Sequence, residues 1–219
     1  DLPEETRALQ AHALVTLRLL QAPSGAFLSG FEAPQGAAPE RRWCRLRDAA
    51  IAADALGRAG YGAAARRYFT FTADAARQAG ELPAILDAEG TPAPAPDAAL
   101  RAVDGIALHL WAAARHLERE RDAELMAGVY EDSLASAAER LAASVDSGIG
   151  LPVGADPWDG RWGAHAATAA AEPTRSCSRP RLPRAKMNHT SSTAANWTAV
   201  WSAAFRCRSW CSISGCRGR

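Results

Sequence analysis

Two stretches of this 219-residue chain carry the residue types that do chemistry. The first is Trp43-Cys44-Arg45-Leu46-Arg47-Asp48-Ala49-Ala50, between a Gly/Pro-containing loop and an alanine-rich segment. It sets an Arg beside an Asp where a loop becomes a helix. The carboxylate of such a pair accepts backbone N–H groups and meets the positive end of the helix dipole. The guanidinium adds a planar fork of donors. The second stretch, Asp156-Pro157-Trp158-Asp159-Gly160-Arg161-Trp162-Gly163, repeats the layout: aromatic and charged residues in a loop, then small residues. Each has a plainer reading. Arg47-Asp48 can be a helix N-cap with a neighbouring charge, and Asp159-Gly160 a simple turn.

The elements that must position these residues read as helices. Thr6 to Gln21 has an apolar stripe of Leu9, Leu14, Val15, Leu17 and Leu20, and stops at Pro23-Ser24-Gly25. Phe27, Leu28 and Phe31 form a short apolar segment of strand type, and Pro34 to Pro39 is a loop. A helix follows from Asp48, at its cap, to Gly57 or Gly60. Ala63 to Ala79 is the next, with Tyr68, Phe69 and Phe71 as bulky core candidates and Gly80 as its stop. Leu82 to Pro96 reads as irregular, with a turn over Asp87-Ala88-Glu89-Gly90. Ala98 to Leu117 places Leu100, Val103, Ile106, Ala107, Leu110 and Trp111 on one face. Asp122 to Val145 is another helix, with Leu125, Val129, Leu134, Leu141 and Val145, broken by Gly148-Ile149-Gly150-Leu151-Pro152. A further one begins at Ala164. No strands alternate with these helices, which argues against a doubly wound sheet. Ala- and Gly-rich helices pack closely, so the expected class is all-α, built from stacked helical hairpins.

Composition divides the chain. At 48% hydrophobic and 22% charged it is an ordinary globular composition. No apolar run is long enough to span a bilayer and no signal peptide precedes the first helix, so no membrane partner and a cytoplasmic location are expected. The net charge of +1 hides an asymmetry: nine of the 25 Lys and Arg lie beyond Glu172 with no acidic residue among them, so the tail carries +9 and the rest −8. Four of the five cysteines and three of the seven tryptophans fall in that tail as well. The sequence is therefore read as residues 1–172, one helical domain, and 173–219, an irregular basic tail.

The first stretch, with Arg42 before it, resembles the aromatic-Cys/Val-Trp-Pro/Leu-Arg-Asp-Ala motif of the glucoamylase-like glycoside hydrolases, glycoside hydrolase family 15. The resemblance continues through Arg58-Ala59-Gly60-Tyr61, Ala64-Ala65-Arg66-Arg67-Tyr68 and Val103-Asp104-Gly105-Ile106-Ala107-Leu108-His109-Leu110-Trp111. It ends with Gly150-Leu151-Pro152 and the segment from Asp156 to His165. It covers about residues 5–172, with four short motifs in order. It implies an (α/α)6 toroid, of which about six of twelve helices would be present. It implies a site on the loops at one end, and inverting exo-hydrolysis of terminal α-glucosidic bonds without metal or other cofactor. In such chemistry one carboxyl protonates the leaving oxygen while another activates water on the opposite face. By position Asp159 stands where the family has its general acid. Arg47 and Asp48 take the sugar-gripping role, a fork and a carboxylate offered to adjacent hydroxyls. Trp43, Trp158 and Arg161 line the same site, and the expected partner is an α-glucoside.

Three departures bear on activity. Arg45 replaces the family's site Trp, losing a stacking face. The acid is Asp159 rather than Glu, one methylene shorter, and a displacement of about 1 Å can cost about 100-fold in rate. The base belongs to a second half of the toroid, and the acid-free tail reads as a shifted reading frame in its place. A truncated, weak or inactive hydrolase is thus expected, with a non-catalytic helical carbohydrate-binding or interaction scaffold as the alternative. Apolar faces that should have met the second half point to self-association.

Other features have ordinary explanations. Asp104 reads as structural or supporting rather than catalytic. His109 and His116 share a helix face but lack a third ligand, so packing is favoured over metal. His165 reads as a packed histidine. Cys207, Cys211 and Cys216 fit no standard zinc spacing. The sequons at Asn188 and Asn196 are short enough to arise by chance. A basic tail can bind nucleic acid, but its scattered Pro and Cys form no clear surface, so no nucleic-acid partner is expected.

Overall fold

The computed structural model describes residues 3–31, 42–94, 103–155 and 161–164. By its contacts the chain divides into Asp1–Glu172 and Pro173–Arg219, and every described residue lies in the first unit. The expectations for Trp158, Asp159, His165, the helix beyond Ala164 and the cysteines and sequons of the tail fall outside the described residues.

The fold is all-α, with short two-residue strand pairs as fasteners. Helix α1 is Glu4–Leu19. Strand β1, Cys44–Arg45, leads directly into α2, Leu46–Arg58. Helix α3 is Gly62–Ala79, and β2 is Ile85–Leu86. Helix α4 is Asp104–Glu120, α5 is Ala123–Val129 and α6 is Ser136–Ala143. A π-helical turn, Tyr130–Ala135, joins α5 to α6. Strands β3, Gly154–Ala155, and β4, Trp162–Gly163, close the described part. β1 pairs antiparallel with β2, and β3 with β4.

Side-chain pairs fix the direction of each helix. Arg47 at the head of α2 meets Asp104 at the head of α4, and Asp54 near the end of α2 meets Arg119 near the end of α4. So α2 and α4 run parallel. Arg66 and Arg77 on α3 meet Asp122 and Asp132 in that order, so α3 runs parallel to the α5–α6 helix. Gly62, the first residue of α3, lies against the Glu120 side chain at the end of α4, so the two pairs run in opposite senses. Two parallel helices in one layer, each returning through an antiparallel helix in the other, are the helical-hairpin architecture expected from the sequence.

The core between the layers is alanine and aromatic. Ala49, Ala50, Ala53 and Leu56 of α2 are buried, as are Ile106, Ala107, Leu110 and Ala113 of α4. Small side chains let the two axes approach. They come close at Gly105, where an added Cβ would stand 3.2 Å from the Arg47 backbone nitrogen and 3.3 Å from the Leu46 Cβ. Tyr68 and Phe69 of α3 fill the space toward α4, with Phe69 ring centroids 5.7 Å from His109 and 5.4 Å from His116. Both histidines are fully buried, as packing residues, and the Tyr68 hydroxyl lies 3.1 Å from His109 Nδ1.

Several expectations need correcting. Helix α2 starts at Leu46, not after Asp48. Its N-cap position is Arg45 with no side-chain cap bond, so Asp48 sits inside the first turn. Antiparallel pairing holds Arg45 extended, and the Leu46 N–H donates to Ala84 O at 3.1 Å, so the neighbouring segment satisfies one of the free backbone donors of the first turn. Leu82–Pro96 is therefore not wholly irregular, although the Asp87 turn is present, with Oδ1 accepting from Glu89 and Thr91 N–H. The segment from Phe27 makes an isolated bridge with Gln21 rather than a strand. Trp111 is 38% exposed instead of packed with Leu110. The stripe on α1 buries no residue, and Leu9 is 70% exposed. The Asp122–Val145 helix is capped by Asp122, its side chain accepting the Leu125 N–H at 3.1 Å. It is not continuous α-helix, however: Ser133 Oγ donates to Val129 O at 3.1 Å within the π turn.

Two measurements check this packing. Gly105→Val should force α4 off α2 and cost about 1–3 kcal/mol, lowering Tm by several degrees. Burial pushes the His109 pKa down to about 4, below the 6.5 of an exposed histidine. The unfolded chain then takes up a proton that the folded chain refuses. The stability contribution is whole above pH 6.5 and is lost as pH falls toward 4, by about 3 kcal/mol. The urea midpoint of His109→Gln should fall less between pH 7 and pH 4 than that of the parent.

Candidate functional site

The head of α2 is assembled from both sides in sequence. The Ser29 N–H and hydroxyl both donate to Trp43 O, at 2.9 and 2.8 Å, anchoring the residue before β1. The Trp43 ring is half-buried and packs against Ala84, Ile85 and Ala93. Cys44 points the other way and is buried, which pushes its thiol up to about 12 and leaves it an inert packing group. Alternation along the strand turns Arg45 outward, where its guanidinium stands 5.8 Å from the Trp43 ring centroid. The chain then enters α2 with Arg47 and Asp48 in the first turn.

Arg47 lies between two carboxylates. Its Nε donates to Asp48 Oδ1 at 3.1 Å, and its Nη1 stands 3.5 Å from Asp104 Oδ2. The two acids differ in setting: the Asp48 side chain is 52% exposed and that of Asp104 only 7%. Asp104 Oδ1 also accepts the Gly105 N–H at 2.9 Å. A buried carboxylate is stable where cation and N–H partners replace the lost water, and Asp104 has one of each. Arg47 itself is 22% exposed. The result is an exposed acid and a partly exposed guanidinium side by side, on the adjacent heads of two parallel helices. Such a pair presents acceptors and donors together, the pattern that adjacent hydroxyl groups of a ligand require.

The structure brings Trp43, Arg47 and Asp48 into one locality. Arg161 lies elsewhere in sequence, immediately before β4, on the hairpin that β3 and β4 form. The neighbouring Trp162 is 63% exposed. Trp158 and Asp159 lie outside the described residues. The sequence marks Asp104 as structural or supporting, and its pairing with Arg47 is not legible there, since 57 residues separate the two. The one signal was an acid opening an otherwise apolar helix. Among the described residues no group of three or more His, Cys, Asp or Glu could hold a metal ion. No helix there is long and apolar enough to cross a membrane.

Comparison with solved structures decides the fold. A glycosidase carrying a Glu-to-Ala substitution superposes with a TM-score of 0.58 at 20% identity, over 74% of this chain and 46% of its own. A glycosidase variant in complex with glucose gives 0.53 at 21% identity, over 67% and 45%. A wild-type glycosidase gives 0.53 at 20%, over 65% and 43%. The chain has a glycosidase-like fold. It spans less than half the length of the glycosidases it matches. No family model matches the chain, and neither does any curated protein sequence.

The local geometry separates a ligand-binding Asp48 from a capping one. Asp48 makes no cap bond and is exposed, so Asp48→Ala should change stability by less than about 1 kcal/mol. A fall in Tm of many degrees would mark it as a structural residue instead.

Proposed function

We propose that this chain is part of a glycoside hydrolase-like domain that binds an α-glucoside, descended from an inverting exo-acting enzyme on terminal α-glucosidic bonds. The observation that carries the reading is the Arg47–Asp48 pair at the head of α2, Asp48 exposed and Arg47 partly so, within a glycosidase-like fold. One of the similar solved structures is a glycosidase variant in complex with glucose, which supports a glucoside as the ligand class. In this reading Arg47 donates to, and Asp48 accepts from, adjacent hydroxyls of the terminal sugar. Trp43 offers an apolar edge, Trp158 and Arg161 approach from the second loop, and Asp159 is the general acid. A carboxyl one methylene shorter than Glu reaches less far toward the leaving oxygen, so turnover by this chain is weak or absent.

A second reading, sugar binding without turnover, is favoured by Arg45. Its guanidinium covers a face of Trp43 that a sugar would otherwise stack on. Matching less than half of each glycosidase is compatible with either reading.

The test is a titration of the purified chain with glucose and maltose, beside an assay for β-glucose release from maltooligosaccharides. Binding that drops at least tenfold in Asp48→Asn and in Arg47→Lys is expected. β-Glucose release abolished by Asp159→Asn would support catalysis, and binding with no release the second reading. Binding unchanged by both substitutions would remove the site from this locality.

A further inference from the structure

We propose that Asp104 is a positioning residue, which holds the Arg47 guanidinium in the orientation that a sugar ligand meets. The proposal rests on the reading of Arg47 and Asp48 as the sugar-gripping pair, and assigns the aiming of that pair to the neighbouring helix.

Three observations carry it. First, Arg47 is engaged on different edges of its planar fork, Nε by Asp48 and Nη1 by Asp104. Contacts on two edges stop the group from rotating about its long, flexible stem. Second, the two acids cannot have the same task. Asp104 is all but buried, so it cannot itself reach a ligand in solvent. Asp48 is exposed, and its Oδ2 has no hydrogen-bond partner among the described residues, so it can accept from one. Third, Asp104 is itself fixed. Its Oδ1 accepts the Gly105 N–H, and Gly105 brings α4 so close to the Arg47 backbone that a Cβ there would already be tight. Through Asp104, the orientation of Arg47 is therefore referred to the close contact of two parallel helices. A site held by such supports keeps its geometry without a ligand, and its ligand does not spend binding free energy on ordering it.

A merely structural acid would also matter for stability, so the test must read Arg47 itself. The Nε–Hε resonance of Arg47, assigned by its loss in Arg47→Lys, should show a heteronuclear NOE close to that of the helical backbone in the full chain. In Asp104→Asn it should fall toward that of an exposed arginine while the backbone spectrum is kept. Asp104→Glu, which restores the charge, should recover much of it. Affinity for glucose and maltose should fall about tenfold in Asp104→Asn and recover partly in Asp104→Glu. If Asp104→Asn does not fold, Asp104→Ser, whose hydroxyl can still accept the Gly105 N–H, is read in the same way. An Arg47 side chain as ordered in the folded Asn or Ser variant as in the parent overturns the proposal, as does unchanged sugar affinity. If the parent binds neither glucose nor maltose, the sugar reading of the pair falls, and the NOE alone decides whether Asp104 positions Arg47.

Discussion

The contact between α2 and α4 is the constraint on which the rest depends. Two helices of small residues lie parallel and close, with Gly105 against the backbone of Arg47. An ion pair marks each end, Arg47 with Asp104 and Arg119 with Asp54. The second pair is the more enclosed, and Arg119 Nε and Nη2 are buried without a hydrogen-bond partner among the described residues. Burying such groups is costly, so these pairs add little net stability; what they supply is register. Sliding one helix along the other by a turn would strand two buried acids and a buried guanidinium. The axial position of α4 on α2, and with it the level at which their heads meet, is set by that penalty.

The chemistry of the candidate site follows from this register. Parallel helices place their N-termini at the same end, and both α2 and α4 carry an acid in the first turn. One acid is sheltered by the helix contact and the other is left in solvent, so two identical side chains differ in setting through burial alone. The β1–β2 pair has a complementary effect. It satisfies the Leu46 N–H and starts α2 two residues before Asp48, which leaves Asp48 inside the first turn instead of at the cap that its sequence position suggests. Glycosidase-like architecture and the adjacent Arg–Asp pair thus come from one packing arrangement.

Much of the fold was legible in the sequence because periodicity and punctuation act locally. Gly80 ends α3 in a left-handed conformation, a helix begins at Asp122, and the core candidates Tyr68, Phe69 and Phe71 are buried. The failures have a common physical origin. The start of α2 depended on a strand partner about 40 residues away. The α1 stripe and Trp111 are amphipathic by pattern, but pattern says only that a face can be buried, not that a neighbour is there to bury it. The π turn arises where Ser133 bonds back into the helix, a choice open to any serine and taken only in some surroundings.

By itself, then, the sequence determined which segments are helical, that they are short-sided enough to pack closely, and that an Arg and an Asp stand together where α2 begins. Those are properties of neighbouring residues, and neighbouring residues suffice for them. Only the tertiary structure decided that α2 and α4 run parallel, that Asp104 reaches back to Arg47, and that Asp48 stays free of a cap. Each of these depends on residues 40 or more positions apart meeting in space, and on which of two like groups the packing removes from water.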